Sequence, residues 1–186
     1  MSDIFSYNTV TNQYTTQFKC SGFGLGELLK DKQNPIGVEI GCAEAHTTEF
    51  LLDINPTLKI TSIDPYINYL DWNGNMLNDR QEFYEMVMKK LERFGDRFTM
   101  IRDLSDNVFQ NFEDESLDYI FIDGLHTYDQ VKIDCQNYYS KVKPGGLFAG
   151  HDFTVIPGVN AAVKEFAAIH GKEILTTECD VWYWYK

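Results

Sequence analysis

The sequence predicts an α/β fold: a doubly wound, mostly parallel sheet of seven strands with helices on both faces. Three observations lead there. Strand-length apolar runs alternate with stretches of helical period five times, before a final helix and two closing strands. The run Tyr119-Ile120-Phe121-Ile122 is apolar throughout, as expected of a central parallel strand covered on both sides. Asp64, Asp123, His151 and Asp152 stand where those strands end, and open α/β sheets bind ligands beyond the carboxyl ends of their strands.

The elements follow in order. Residues 1–21 are polar and aperiodic, an N-terminal arm or linker; residues 22–186 form one domain. Residues 23–33 form a short helix with Leu25, Leu28 and Leu29 on one face, broken by Asn34-Pro35. Residues 36–40 are the first strand, 41–45 a turn of small residues, and 47–54 a helix closed by Asn55-Pro56. Residues 58–63 are the second strand. Residues 65–78 are a long irregular loop carrying Tyr66, Tyr69 and Trp72, and such loops are often functional.

Residues 79–94 form an amphipathic helix with Phe83, Val87, Leu91 and Phe94 along one stripe. Residues 97–101 are the third strand, 105–112 a short helix, and the run ending at Ile122 the fourth strand. The helix at 127–142 turns Val131, Cys135, Tyr138 and Val142 inward. Lys143-Pro144-Gly145-Gly146 is expected to stop it. The fifth strand starts at 147–149 and ends at Gly150-His151-Asp152. A helix at 157–170 and strands at 173–177 and 181–185 close the chain.

Composition narrows the function. A hydrophobic fraction of 44% in 186 residues is enough for a sizeable core. A formal net charge of −12 argues against nucleic acid or an anionic membrane as partner, since both reward basic patches. Cys20, Cys42, Cys135 and Cys179 form no C-x-x-C pair and read as reduced thiols of a cytoplasmic protein. Neither a signal peptide nor an apolar run of ~18 residues is evident.

Four constellations carry chemistry. In Val38-Glu39-Ile40-Gly41-Cys42-Ala43-Glu44-Ala45-His46-Thr47 a strand meets a helix through small residues, which lets a ligand approach backbone and helix start. It is also compatible with a plain tight turn. Asp64 ends the next strand, where an acid can accept both ribose hydroxyls; before Pro65 it can equally start an Asx turn. Asp103-Leu104-Ser105-Asp106 reads either as a helix cap or as an adenine contact. Asp123, His126, His151 and Asp152 end two adjacent strands. Tips ~4.8 Å apart can share one hard ion such as Mg²⁺ or Mn²⁺. His126, three residues past Asp123, can take a proton near neutral pH.

At these residues the chain resembles class I S-adenosylmethionine-dependent methyltransferases. It is most similar to the small-molecule O-methyltransferase branch that includes catechol and macrolide-sugar enzymes. The resemblance rests on Val38-Glu39-Ile40-Gly41, Ser62-Ile63-Asp64, residues 118–128, Lys143-Pro144-Gly145-Gly146 and His151-Asp152, and spans residues 36–153. It implies a Rossmann-like methyltransferase sheet. It also implies that Glu39, Gly41 and Thr47 line the methionine end of the cofactor, and that Asp64 holds the ribose beside Pro65. Asp103, Leu104 and Ser105 would edge the adenine. Asp123 would stand between cofactor and metal, Asp152 would be a second ligand, and His126 would occupy the place of the general base. Two residues depart from the family pattern. Ala45 replaces a usual glycine, and His151 replaces a usual acid, where it could act as a nitrogen ligand.

The expected function is therefore methyl transfer to a hydroxyl of a small molecule, a sugar or other vicinal diol, or a catechol. The expected cofactors are S-adenosylmethionine and a divalent metal. A non-catalytic cofactor- or nucleotide-binding module of a larger assembly stays open as an alternative, as does a nicotinamide-dependent oxidoreductase. The latter is disfavoured because no Gly-x-Gly-x-x-Gly follows the first strand. The metal, the acceptor and any homo-oligomeric state are not legible.

Overall fold

The computed structural model describes residues 21–70, 73–78 and 80–186, and the backbone of 6–8 and 13–15. The expectations for most of the 1–21 arm and for Cys20, Trp72 and Asp79 lie outside the described residues. The elements are β1 (Ser6–Asn8), β2 (Gln13–Thr15), α1 (Ser21–Leu29), β3 (Ile36–Ile40), α2 (His46–Ile54), β4 (Lys59–Ile63), β5 (Tyr69–Leu70) and β6 (Met76–Leu77). They continue with α3 (Arg80–Leu91), β7 (Phe98–Ile101), α4 (Ser105–Val108), β8 (Leu117–Ile122), α5 (Tyr128–Tyr139) and β9 (Val142–Gly150). The chain closes with α6 (Pro157–Ile169), β10 (Leu175–Thr176) and β11 (Trp182–Tyr185).

Seven strands form one sheet in the order β10-β11-β9-β8-β3-β4-β7. The five strands from β9 to β7 run parallel, and β11 and β10 add antiparallel at one edge. The order reverses beside β3, because the chain builds outward through β4 and β7 before returning to β8. Such a switch point opens a crevice at the carboxyl ends of the strands.

Side-chain alternation distributes the core to both faces. Ile120 and Ile122 of β8, Phe148 of β9 and Trp182 and Trp184 of β11 pack under α5 and α6. Tyr119, Phe121, Leu147 and Ala149, their alternates, pack under α1, α2 and α3 with Leu25, Leu51 and Leu91. The terminal aromatics are thus wall material, as their alternation predicts, with Trp182 and Trp184 buried. Among the described residues no helix is long and apolar enough to cross a membrane.

Three expectations change. Lys143-Pro144-Gly145-Gly146 does not end a helix. α5 stops at Tyr139, and this tetrapeptide lies inside β9. Leu117 pairs with Val142 but Tyr119 with Leu147, so the extra residues bulge out, with Gly145 at φ +76° supplying the left-handed step. The 65–78 loop carries a small hairpin, β5 against β6. The third helix ends at Leu91, after which residues 92–97 tighten into 3₁₀ turns around Gly95.

Candidate active site

The crevice begins at the turn after β3. Gly41 (φ +88°), Ala43 (φ +45°) and Ala45 (φ +60°) all take left-handed backbone conformations. At Gly41 this is obligatory. A Cβ there would come within 2.1 Å of the Asp123 carbonyl oxygen, so β3 and β8 leave the sheet in near contact. Ala45 holds a conformation that glycine would adopt at no steric cost, which is the physical content of its departure from the family pattern.

Asp64 fastens this turn. Its Oδ2 accepts from the N–H groups of Cys42 (3.1 Å) and Ala43 (3.0 Å), and its Oδ1 from that of Tyr66 (2.9 Å). The Asx turn and the site-lining position expected of Asp64 therefore coexist, since the residue also lines the cleft. Arg80, not singled out by the sequence, lies 3.8 Å from Asp64 Oδ2 and packs over the rings of Tyr66, Tyr69 and Phe83.

Two adjoining cavities fill the crevice, about 380 Å³ and about 190 Å³ in volume. They share Gly41, Ala43, Tyr69, Asp123, Gly124 and Leu125, which makes them one cleft. The larger is lined by Glu39, Thr47 and His126, and the smaller by Asp64, Pro65, Leu104 and Ser105. Asp103 is not among the lining residues; its Oδ1 accepts from Leu104 N–H and Asn107 Nδ2, 2.7 Å each. Tyr66 is buried, its hydroxyl donating to the Ala43 carbonyl, so its ring offers no face to a ligand. Tyr69 does line both cavities.

Glu39 is the buried acid of the larger cavity. Thr48 and Ser62 donate to its Oε2 (Ser62 at 2.8 Å). Burial pushes its carboxyl up to about 8, against those hydrogen bonds, and the charges of Asp123 and Asp64 add to the rise. The smaller cavity has an acid the sequence reading passed over. Asp134 of α5 accepts from Ser105 Oγ (2.6 Å) and Gln130 Nε2 (3.3 Å), and burial raises it to about 7. Its signal was present: an acid on the inward stripe that carries Val131, Cys135 and Tyr138. Ser105 spends its hydroxyl on Asp134 and caps nothing; the cap position of α4 is Leu104.

β8 and β9 end side by side, with Ile122 paired to Gly150. Asp123 and Asp152 therefore meet, and His126 stands between them. Its Nε2 is 3.1 Å from Asp123 Oδ1 and 3.2 Å from Asp152 Oδ2. Asp123, His126 and Asp152 each offer a ligand atom, all within 4.8 Å of one another. Two oxygens and one nitrogen at that spacing fit a divalent ion.

His151 stands behind this group. Its Nε2 is 3.0 Å from the Cys179 carbonyl oxygen, and its Nδ1 is 3.1 Å from Asp152 Oδ1 and 3.8 Å from Asp123 Oδ1. Burial alone would lower its pKa, but the hydrogen bond to Asp152 and the charges of both carboxylates raise it to about 9. Doubly protonated, the ring donates on both sides and serves Asp152 as a counter-charge. Asp152 in turn is held below the usual carboxylate range, because the contacts with His151 and His126 outweigh its burial. Of the three expected metal ligands, Asp123 and Asp152 converge with His126, and the third, His151, reaches both carboxylates through Nδ1.

A family model described as a methyltransferase domain matches residues 38–153, which include the turn, Asp64, Asp123, His126 and Asp152. This chain belongs to the class I S-adenosylmethionine-dependent methyltransferases. Solved structures of similar fold agree with the methyltransferase sheet. One, from Staphylococcus aureus and provisionally described as a caffeoyl-CoA O-methyltransferase, has a TM-score of 0.65 at 18% identity over 87% of this chain and 80% of that one. A precorrin-6y C5,15-methyltransferase from Geobacter metallireducens has a TM-score of 0.64 at 14% identity, covering 93% and 79%. An O-methyltransferase from Bacillus cereus, solved with S-adenosylhomocysteine, has a TM-score of 0.60 at 15% identity, covering 89% and 80%.

A curated relative, the uncharacterized protein y4gI of Sinorhizobium fredii, is 29% identical over 75 residues, 40% of this chain. Those residues make up only 8% of that protein. In this methyltransferase, then, the glycine turn, Glu39 and Asp64 border one continuous cleft that runs to the carboxylate–imidazole cluster.

Proposed function

We propose that this methyltransferase moves the methyl group of S-adenosylmethionine to a hydroxyl oxygen of a small molecule, a sugar or another vicinal diol. The observation that carries the reading is His126 Nε2 lying 3.1 and 3.2 Å from two carboxylates at the end of the cofactor cleft. A hydroxyl becomes a competent nucleophile by losing a proton, and this cluster offers a proton acceptor already flanked by negative charge. Carboxylates only accept, so Nε2 faces them as a donor and His126 takes the proton at its other ring nitrogen, Nδ1. The imidazolium that forms lies between Asp123 and Asp152, which stabilise it.

Glu39 gives an independent fit to the donor. An acid held up to about 8 in the free protein awaits a cation, and the α-ammonium of S-adenosylmethionine supplies one. Thr47 and the Gly41 turn border the same cavity. The bound donor contributes a sulfonium-activated methyl group. The chain's part is alignment, with Asp123 touching both the turn and the cluster. A divalent ion held by Asp123 and Asp152 would polarise the acceptor oxygen as a Lewis acid. Tyr69 offers an aromatic face on the rim, and two carboxylates with an imidazole suit a pair of neighbouring hydroxyls.

A second reading rests on the clustering of ligand atoms within 4.8 Å: His126 is itself the nitrogen ligand of the ion. Mass spectrometry of glycosides, diols and catechols incubated with S-adenosylmethionine, with EDTA or with Mn²⁺, tests the proposal. A methylated glycoside or diol is expected. Methylation of catechols alone reverses the acceptor class, and no oxygen-methylated product from any of them rejects O-methylation. If His126→Ala abolishes Mn²⁺ binding as well as turnover, the second reading replaces the first.

A further inference from the structure

The carboxylate of Asp152 depends on a loop that the site itself does not include. Asp152 has φ +61°, a left-handed conformation uncommon for a residue with a side chain. His151 before it and Thr154 two residues after it are tied to the loop at residues 177–181, between β10 and β11. The Cys179 carbonyl oxygen lies 3.0 Å from His151 Nε2. Asp180 accepts from the Thr154 N–H with both oxygens, Oδ1 at 2.9 Å and Oδ2 at 3.2 Å. Hydrogen bonds within the loop brace it. Thr177 Oγ1 accepts from the N–H groups of Cys179 (3.2 Å) and Val181 (3.3 Å), and the Thr177 carbonyl accepts from Asp180 N–H (3.2 Å). Asp180 itself is left-handed at φ +59°. Asp152 and Asp180 thus both hold left-handed backbone on the two sides of this link.

We propose that Asp180 is a positioning residue: by fixing Thr154, while Cys179 fixes His151, it holds Asp152 in the conformation that aims its carboxylate at His126 and Asp123. The proposal rests on the reading that those three side chains form the reactive centre. Asp180 touches neither donor nor acceptor and acts only through the backbone of residues 151–154. A backbone rotation at Asp152 would carry the carboxylate away from His126.

The test compares the full chain with its Asp180→Ala, Asp180→Asn and Asp152→Asn variants. Mn²⁺ binding is read by electron paramagnetic resonance, S-adenosylhomocysteine binding by calorimetry, and the His126 and His151 imidazoles by ¹⁵N chemical shift. All variants should keep S-adenosylhomocysteine affinity within about twofold, since neither Asp180 nor Asp152 is among the residues lining the two cavities. Asp180→Ala should weaken Mn²⁺ binding about 10–100-fold, the usual effect of losing an outer-shell partner, and shift the His126 imidazole signal. Asp180→Asn keeps one oxygen for the Thr154 N–H and should recover most of both, which a merely destabilising change would not.

An Asp180→Ala protein with unchanged imidazole signals overturns the proposal. So does an Asp180→Asn protein no better than Asp180→Ala, or an alanine variant that loses S-adenosylhomocysteine binding along with the rest. Failure of the underlying reading looks different. The wild type and Asp152→Asn would then bind Mn²⁺ alike, while the imidazole signals would still report whether Asp180 sets the cluster.

Discussion

At His126, in the proposed reaction, one ring would answer to two demands, proton transfer and a place within hydrogen-bond reach of two carboxylates. His126→Ala should therefore lower turnover by ~10²–10⁴ while S-adenosylmethionine affinity stays within a few-fold. Release of S-adenosylhomocysteine and calorimetry measure the two separately, and undiminished turnover would reject the base assignment. Asp134 carries the clearest pH dependence. Its folded-state carboxyl is raised from 3.8 to about 7, so the native protein holds a proton that the unfolded chain releases. The stability this contributes is complete below pH 3.8 and is lost as pH rises through about 7. Asp134→Asn stays neutral and can still accept from Ser105. Urea unfolding should show it gaining on the wild type between pH 4 and pH 8, by on the order of 1–4 kcal/mol. A constant difference across that range would mean that Asp134 ionises freely. Asp123 and Asp152 were legible because each ends a strand. Asp134 and Arg80 were not picked out, because a charged residue on a helix face or at a helix start usually means solvent.

Among the elements, the turn after β3 has the least freedom. Gly41→Ala would put a methyl group 2.1 Å from the Asp123 carbonyl oxygen and strain a backbone at φ +88°. Combined strain and overpacking should cost about 2–6 kcal/mol and remove S-adenosylhomocysteine binding, both readable by thermal melts with and without ligand. A variant that binds normally would show that β3 and β8 need not approach so closely. The sequence identified this turn by its small residues. It misled at Lys143-Pro144-Gly145-Gly146, because glycine and proline chemistry suits a helix stop and a strand bulge equally well. Pairing of Tyr119 with Leu147 on the neighbouring strand settles the matter, and no local signal contains that partner. The β5–β6 hairpin went unseen for a related reason: its strands are two residues each, too short for alternation to register.

For the whole molecule, the cleft and the core are one construction, since the strand ends that frame the site are continuous with strands buried on both faces. A ligand that fits should therefore stabilise the entire fold. S-adenosylhomocysteine at about 100 times its dissociation constant should add about 2.7 kcal/mol to unfolding, and NAD should add nothing. Stabilisation by NAD alone would reopen the oxidoreductase reading. Periodicity, turn chemistry and the acids at strand ends act over a few neighbouring residues, and so the sequence by itself determined the α/β class, nearly every element and the pair of carboxylates. The tertiary structure alone decided that His126 Nε2 lies within 3.2 Å of both carboxylates, that Asp64 fastens the glycine turn, and that the loop beyond β10 bonds to His151 and Thr154 on either side of Asp152. Those outcomes depend on where a side chain points. That direction is set by one backbone torsion and by contacts from segments far along the chain, which no local pattern of residues encodes.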